Sequence, residues 1–273
     1  MTLKKTMLAA LALLTATPAL ANDLQPSLTV YSAGSAGGVL KAMLKRYQAE
    51  TGQEVDLETG PAGVMLARIE NGEKVDVFIS ANMGHPQTLA SEGKAEPTVV
   101  FARNNLCVAA LPAVGLTADN LLVRLLDPKV RIGTSTPKAD PGGDYAYAFF
   151  DKADAVQPGA TAVLRAKARQ VAGGAGPKPK ADATAAEKLA QYGVDTMIGY
   201  CSSGSTTPDT SVTKVEIPGK LAIRADYGMA VMTTSHNAGR QAAADRLAQF
   251  LLSPAAQAML ADYGFQTALA PKG

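Results

Sequence analysis

Hydrophobic positions along the chain follow two periods, and the way they alternate gives the first picture of the fold. Leu28 to Tyr31 is a short apolar run read as a strand. It breaks into the small residues of "SAGSAGG", and from Gly38 to Thr51 apolar residues recur at helical spacing up to Gly52. Val55 to Glu58 reads as a second strand, about Val64 to Glu70 as a helix ended by Asn71-Gly72, and "VDVFIS" at 75–80 as a third strand. The third is of the nearly continuous apolar kind that suits a parallel sheet covered on both faces. Strand and helix in alternation predict a doubly wound α/β unit, with the loops after the strand ends facing one cleft.

A second unit begins near Asn105. "LCVAAL" at 106–111 and "RIGTS" at 131–135 read as strands, with a short helix from Ala118 to Leu125 between them. "GGDYAYAFFDKA" at 142–153 starts a helix behind a glycine-rich turn, and Ala160 to Ala172 reads as a further helix. After the flexible, basic "GGAGPKPKA" at 173–181 come a helix from Thr184 to Tyr192, a buried strand from Thr196 to Tyr200 and the loop "CSSGSTTPDTS". "LAIRADYGMAVM" at 221–232 reads as extended chain returning to the first unit, and Ala238 to Leu252 and Pro254 to Tyr263 as closing helices.

The N-terminus changes the charge balance. Two lysines precede an apolar core from Met7 to Leu14, and Ala19-Leu20-Ala21 offers small residues at alternate positions, the pattern of a cleaved export signal over residues 1–21. The apolar run is too short for a membrane span. The expected product is a soluble exported protein, and no cysteine follows the cut to carry a lipid. The chain has 26 Lys and Arg against 24 Asp and Glu, but Lys4 and Lys5 lie in the signal, so the mature charge is near zero. With 5% aromatic residues and no basic stripe, a nucleic-acid partner is not expected. Cys107 and Cys201 are the only cysteines. In an oxidising compartment they are expected to pair, the alternative being two separate buried thiols.

Candidate chemistry is sparse on the catalytic side. His85 and His236 are the only histidines, and neither lies in an HExxH or GxSxG arrangement. Both read most simply as loop or turn residues. Met65, Met83, Met229 and Met232 have no histidine or cysteine cluster beside them and read as core filling, so no metal ligands and no cofactor are expected. Holding an oxyanion asks for less. Hydroxyls of Ser32 and Ser35, backbone N–H groups at 33–36 and the positive end of the following helix can bind a tetrahedral dianion. A second set of donors lies in "TSTPKADPGGDYA", where Ser135 or Thr136 ends a strand and Gly142, Gly143 and Asp144 lead into a helix. Arg68 and Arg224 are candidate charged contacts.

Several stretches resemble the periplasmic molybdate-binding proteins of ABC transporters. They are "LTVYSAGSAGGVLKAMLKRYQAETG" at 28–52, "LARIENGEKVDVFISAN" at 66–82, "DPGGDYAYAFF" at 140–150, "YGVDTMIGY" at 192–200 and "AADRLAQFLLSPAAQAMLADYGF" at 243–265. The resemblance implies a type II periplasmic binding protein fold: two α/β lobes with doubly wound sheets joined by two crossover strands. One lobe would be 22–104 plus 223–273 and the other 105–222. It implies a noncatalytic monomer that binds molybdate, tungstate or a similar oxyanion between the lobes and presents it to an inner-membrane permease. The family's serine donor matches Ser32 or Ser35, with Ser35 nearest the helix start. Its backbone donor after proline matches Gly142, and its tyrosine donor matches Tyr200. Where the family has a serine-rich turn, this chain has "TGPAGVM" at 59–65. Pro61 and Ala62 bring no hydroxyl and Pro61 no amide, which leaves the N–H groups of Gly63 and Val64. Ser202 after Tyr200 is a candidate replacement donor. The loss of the serine turn keeps a second reading open, a receptor for a small organic anion such as a carboxylate. An exported serine-dependent hydrolase or transferase is a third, and it requires a base beside Ser35 or Ser202.

Overall fold

The computed structural model describes residues 26–174, 178–180, 182–202, 204–233 and 237–268. The expected signal segment, Ser203 and His236 lie outside these residues. In chain order the first elements are β1 (Leu28–Ala33), α1 (Gly37–Thr51), β2 (Val55–Gly60), α2 (Ala62–Glu70), β3 (Val77–Ser80), α3 (Gly84–Ser91) and the long β4 (Val99–Ala110). Next come α4 (Leu121–Leu126), β5 (Ile132–Ser135), α5 (Pro141–Ala153), α6 (Ala160–Lys167), β6 (Ala168–Ala172), α7 (Ala185–Tyr192) and β7 (Thr196–Tyr200). The chain closes with β8 (Thr213–Glu216), β9 (Arg224–Val231), α8 (Ala238–Leu252), α9 (Pro254–Asp262) and β10 (Gln266–Thr267).

Two sheets share β4. Its first half, to Asn105, pairs antiparallel with β9 and β10 in a sheet ordered β2-β1-β3-β9-β4-β10. From Leu106 onward it pairs with β7 and β8 in a second sheet, ordered β8-β4-β7-β5-β6. Each sheet has its own core. Phe78, Phe101, Tyr227, Leu40 and Leu247 pack in one; Phe149, Phe150, Leu125, Leu164 and Ile198 pack in the other. This is the two-lobed α/β arrangement of type II binding proteins, with β4 and β9 running at the junction.

Local chemistry explains the element ends. Gly52 takes φ 75° and closes α1 in the left-handed conformation. Thr184 and Glu187 form a capping box at the start of α7. Asp140 caps α5 and Pro141 occupies its first position, where the missing N–H costs nothing. The region read as one helix over 160–172 is α6 followed by β6. The helix stops at Lys167, and Ala168–Ala172 runs parallel to β5 at the sheet edge. The local pattern there fits a helix, but the open edge of β5 takes the backbone, a tertiary gain that a window of sequence does not contain. Cys107 and Cys201 form a disulfide with Cα atoms 4.9 Å apart, closing a loop of sequence separation 94. Among the described residues no helix is long and apolar enough to cross a membrane.

Candidate functional site

Four parallel strands, two from each sheet, end at one place. β1 ends at Ala33, β2 at Gly60, β5 at Ser135 and β7 at Tyr200, and these ends line a cavity of about 340 Å³. The crevice beyond the carboxyl ends of parallel strands is where open α/β sheets place ligands, because the following helices aim their N-termini there. A 3-10 turn at Gly34–Ala36 opens α1, and neither it nor α1 has a side-chain cap. Pro61 starts α2 with no side-chain cap either. First-turn N–H groups have no i−4 partner inside their own helix. The Gly37 N–H closes on the Gly34 carbonyl and the Gly63 N–H on Ala139, so the donors these starts can offer are their other first-turn N–H groups.

The lobes meet across this cavity. The Gly63 N–H donates to the Ala139 carbonyl at 3.0 Å, and the Tyr145 hydroxyl donates to the Ala81 carbonyl at 3.1 Å. Contact is close enough that a Cβ on Gly63 would stand 2.2 Å from the Lys138 carbonyl oxygen, and one on Gly38 2.2 Å from that of Gly204. Among the described residues Lys138 is the one non-glycine with a left-handed backbone, φ 68°.

Of the residues the sequence singles out, Ser35, Ser135, Gly142 and Tyr200 line the cavity. The Ser35 hydroxyl is 2.7 Å from that of Tyr227. The Tyr200 hydroxyl is buried and, although Tyr227 is a close neighbour, makes no hydrogen bond of good geometry. Burial raises its pKa well above the usual tyrosine value, so it stays a donor. Its ring stacks edge-on between Tyr145 and Tyr227, with centroids 6.3 and 5.6 Å away. Burial also pushes Tyr145 up to about 12 and raises Tyr227, against the opposing hydrogen bonds of Ser35 and Asn104.

Others are engaged elsewhere. The Ser32 hydroxyl, fully buried, donates to the Ala33 carbonyl. The Gly142 N–H donates to Asp140 Oδ1 at 2.9 Å and the Gly143 N–H to the Asp140 carbonyl at 2.9 Å. Gly63 is spent on Ala139, and the Val64 side chain is exposed. Arg68 binds Glu58, Glu73 and Tyr31 on the far side of α2, holding Glu73 down at about 2. Arg224 pairs with Asp226 at 3.2 Å. Neither arginine lines the cavity. His85 Nδ1 lies 3.1 Å from the Ser80 hydroxyl, and burial lowers its pKa.

Ser202 is held by Asn104, whose Nδ2 donates to its hydroxyl at 2.8 Å. It lines a different and larger cavity of about 550 Å³ under α7, walled by the disulfide, Lys188, Lys214 and Tyr263. That cavity touches the cleft along Met197, Gly199 and Tyr200, but the strand ends of both lobes converge only on the smaller one.

Two site features escape a reading of donors alone. Tyr227, in the returning strand, supplies the partner of Ser35. Asp140 enters the cavity wall and consumes the amide expected to face the ligand. Its position directly before Pro141 carries the signature of a helix cap, the signal that would have found it.

Residues 28–266 match the family model described as a bacterial extracellular solute-binding protein. An uncharacterized protein of Pasteurella multocida is 37% identical over 197 residues, 71% of this chain and 80% of that one. Among solved structures, the periplasmic molybdate-binding protein of Azotobacter vinelandii superposes with a TM-score of 0.70 at 19% identity, covering 90% of this chain and 100% of that one. The periplasmic binding protein AfuA of Actinobacillus pleuropneumoniae, with fructose-6-phosphate bound, gives a TM-score of 0.67 at 15% identity over 90% and 87%. At such identities the structures establish the fold alone. The chain belongs to the bacterial extracellular solute-binding protein family, a class that captures its ligand without transforming it.

Proposed function

We propose that this protein is the periplasmic capture component of an ABC transporter and holds a tetrahedral oxyanion, free or borne by a small organic molecule, between its lobes. The lobes would be 22–104 with 223–273 and 105–222, closing about β4 and β9 and offering the closed form to an inner-membrane permease. The buried Tyr200 hydroxyl carries the reading. A buried polar group without a partner is a cost of about 1–3 kcal/mol, and this one stands in the cavity wall beside Ser35 and Ser135, below two uncapped helix starts. Neutral donors from both lobes suit an anion with oxygens in several directions.

Molybdate and tungstate remain candidates, and the volume adds a second reading within the same class. A bare anion of four oxygens fills the space of a few water molecules at about 30 Å³ each, so a cavity of about 340 Å³ leaves room for an organic part. The known ligands named for the two structural neighbours, molybdate and fructose-6-phosphate, share the tetrahedral oxyanion. A carboxylate receptor is less well supported, because the planar group is best held by an arginine fork and neither Arg68 nor Arg224 lines the cavity.

Isothermal titration of protein stripped by unfolding and refolding tests this. Molybdate, tungstate, sulfate, phosphate, small phosphate esters and small carboxylates form the panel. One-to-one binding within the tetrahedral group, with silence from the carboxylates, is expected. Binding of carboxylates alone would sink the oxyanion reading.

A further inference from the structure

A carboxylate in the wall of an anion site needs a physical reason, and among the described residues Asp140 is the one charged side chain lining this cavity. It does cap α5 through Gly142. Capping alone does not require that the group also face a ligand cleft. Burial raises its pKa above the usual carboxylate value, and Gly173, at φ 72°, packs so closely that a Cβ there would stand 2.9 Å from Oδ2. A Cβ on Gly142 would meet Asp140 Oδ1, the Tyr200 ring and Ser135 Oγ at 3.4–3.6 Å, which puts the carboxyl among the expected anion donors.

An ionised carboxylate only accepts, at about four lone-pair directions, and the Gly142 N–H uses one of them. Molybdate, tungstate and sulfate near neutral pH also only accept. Set against Asp140 they would bring lone pair to lone pair and negative charge to negative charge, with no lysine or arginine among the described residues of the wall to offset it. A hydrogenphosphate oxygen, or a hydroxyl on the organic part of a phosphate ester, turns that repulsion into a charge-assisted O–H···O⁻ bond.

Resting on the oxyanion reading above, we propose that Asp140 makes the cleft selective for oxyanion ligands with an O–H to donate, of the hydrogenphosphate or hydroxylated phosphate-ester class, over fully deprotonated tetraoxyanions. Ser35, Tyr200 and the helix starts recognise the oxyanion, and Asp140 recognises the proton.

Near-isosteric pairs that differ in protonation test the idea. At mildly alkaline pH phosphate and arsenate keep a proton that sulfate and selenate lack. In the full mature chain, phosphate over sulfate and arsenate over selenate by about a hundredfold or more is expected, the scale of discrimination a buried hydrogen-bonding group can impose. Methyl phosphate, ionised there and without a hydroxyl, should bind as poorly as sulfate, and glycerol 3-phosphate should bind better. Asp140→Asn keeps a capping oxygen for Gly142 but turns the other carboxyl oxygen into a donor, so the phosphate-to-sulfate ratio should fall below about tenfold with thermal unfolding little changed. Equal affinities within each pair in the wild-type protein would overturn the role of Asp140 and leave the oxyanion reading standing. An unchanged ratio in Asp140→Asn would do the same. Silence from every tetrahedral anion would remove both, and the wild-type comparison decides even if the variant fails to fold.

Discussion

Tyr200 sets a test in which a structural role and a binding role move in opposite directions. Its hydroxyl is buried without a good partner, so Tyr200→Phe removes an unmet polar group and keeps the ring between Tyr145 and Tyr227. The unliganded protein should unfold at the same temperature or higher. A hydrogen bond to a charged oxygen contributes about 1.5–3 kcal/mol, so anion affinity should fall at least about tenfold. Calorimetry and titration of one preparation give both readings, and a lower melting temperature with unaltered affinity would make Tyr200 a packing residue only. Ser35 was legible as a hydroxyl in a small-residue turn between a strand and a helix, and Tyr200 only through the resemblance to the molybdate-binding proteins, since a tyrosine ending a buried strand reads by itself as core. Asp140 carries in sequence only the signature of a cap before Pro141: its side chain reaches the cavity because Gly173, more than thirty positions on, leaves room beside it, and local sequence does not carry that distance.

Among elements, the start of α2 meets the turn before α5, and glycine makes the meeting possible. Gly63→Ala should favour the isolated helix by about 1 kcal/mol, yet its Cβ would sit 2.2 Å from the Lys138 carbonyl, a backbone atom with little freedom to yield. The variant should be as stable as the wild type without ligand, bind at least about tenfold more weakly, and keep a larger radius of gyration in small-angle scattering under saturating anion. Wild-type affinity and radius would mean that the lobes do not bind in the contact seen here. Most elements were visible in the periodicity, since α1, β3, β7 and α8 each bury a face or a whole run in a core. β6 and the length of β4 were not. Whether "ARQVA" extends α6 or pairs with β5, and whether Val99–Asn105 joins "LCVAA", depend on sheet edges contributed by distant segments.

At the scale of the molecule, two separate cores joined by β4 and β9 mean that the lobes need not lose stability together. The disulfide lies wholly within the second sheet's lobe, tying β4 just past the crossing to the residue after Tyr200. Closing a loop of separation 94 is worth roughly 4–5 kcal/mol as an upper figure in the chain-entropy model. At roughly 4 °C per kcal/mol for a unit of one lobe's size, replacing both cysteines by serine should lower one calorimetric transition by up to roughly 15–20 °C and leave the transition of the other lobe near its wild-type temperature. An anion that bridges the lobes stabilises only the joined form, by about 2.7 kcal/mol at a hundred times Kd. Saturating ligand should therefore draw the two transitions of the serine variant back together. A uniform fall of a single transition would show that β4 and β9 couple the lobes into one cooperative unit, and closure would then bend these strands elastically instead of turning one independent body against another.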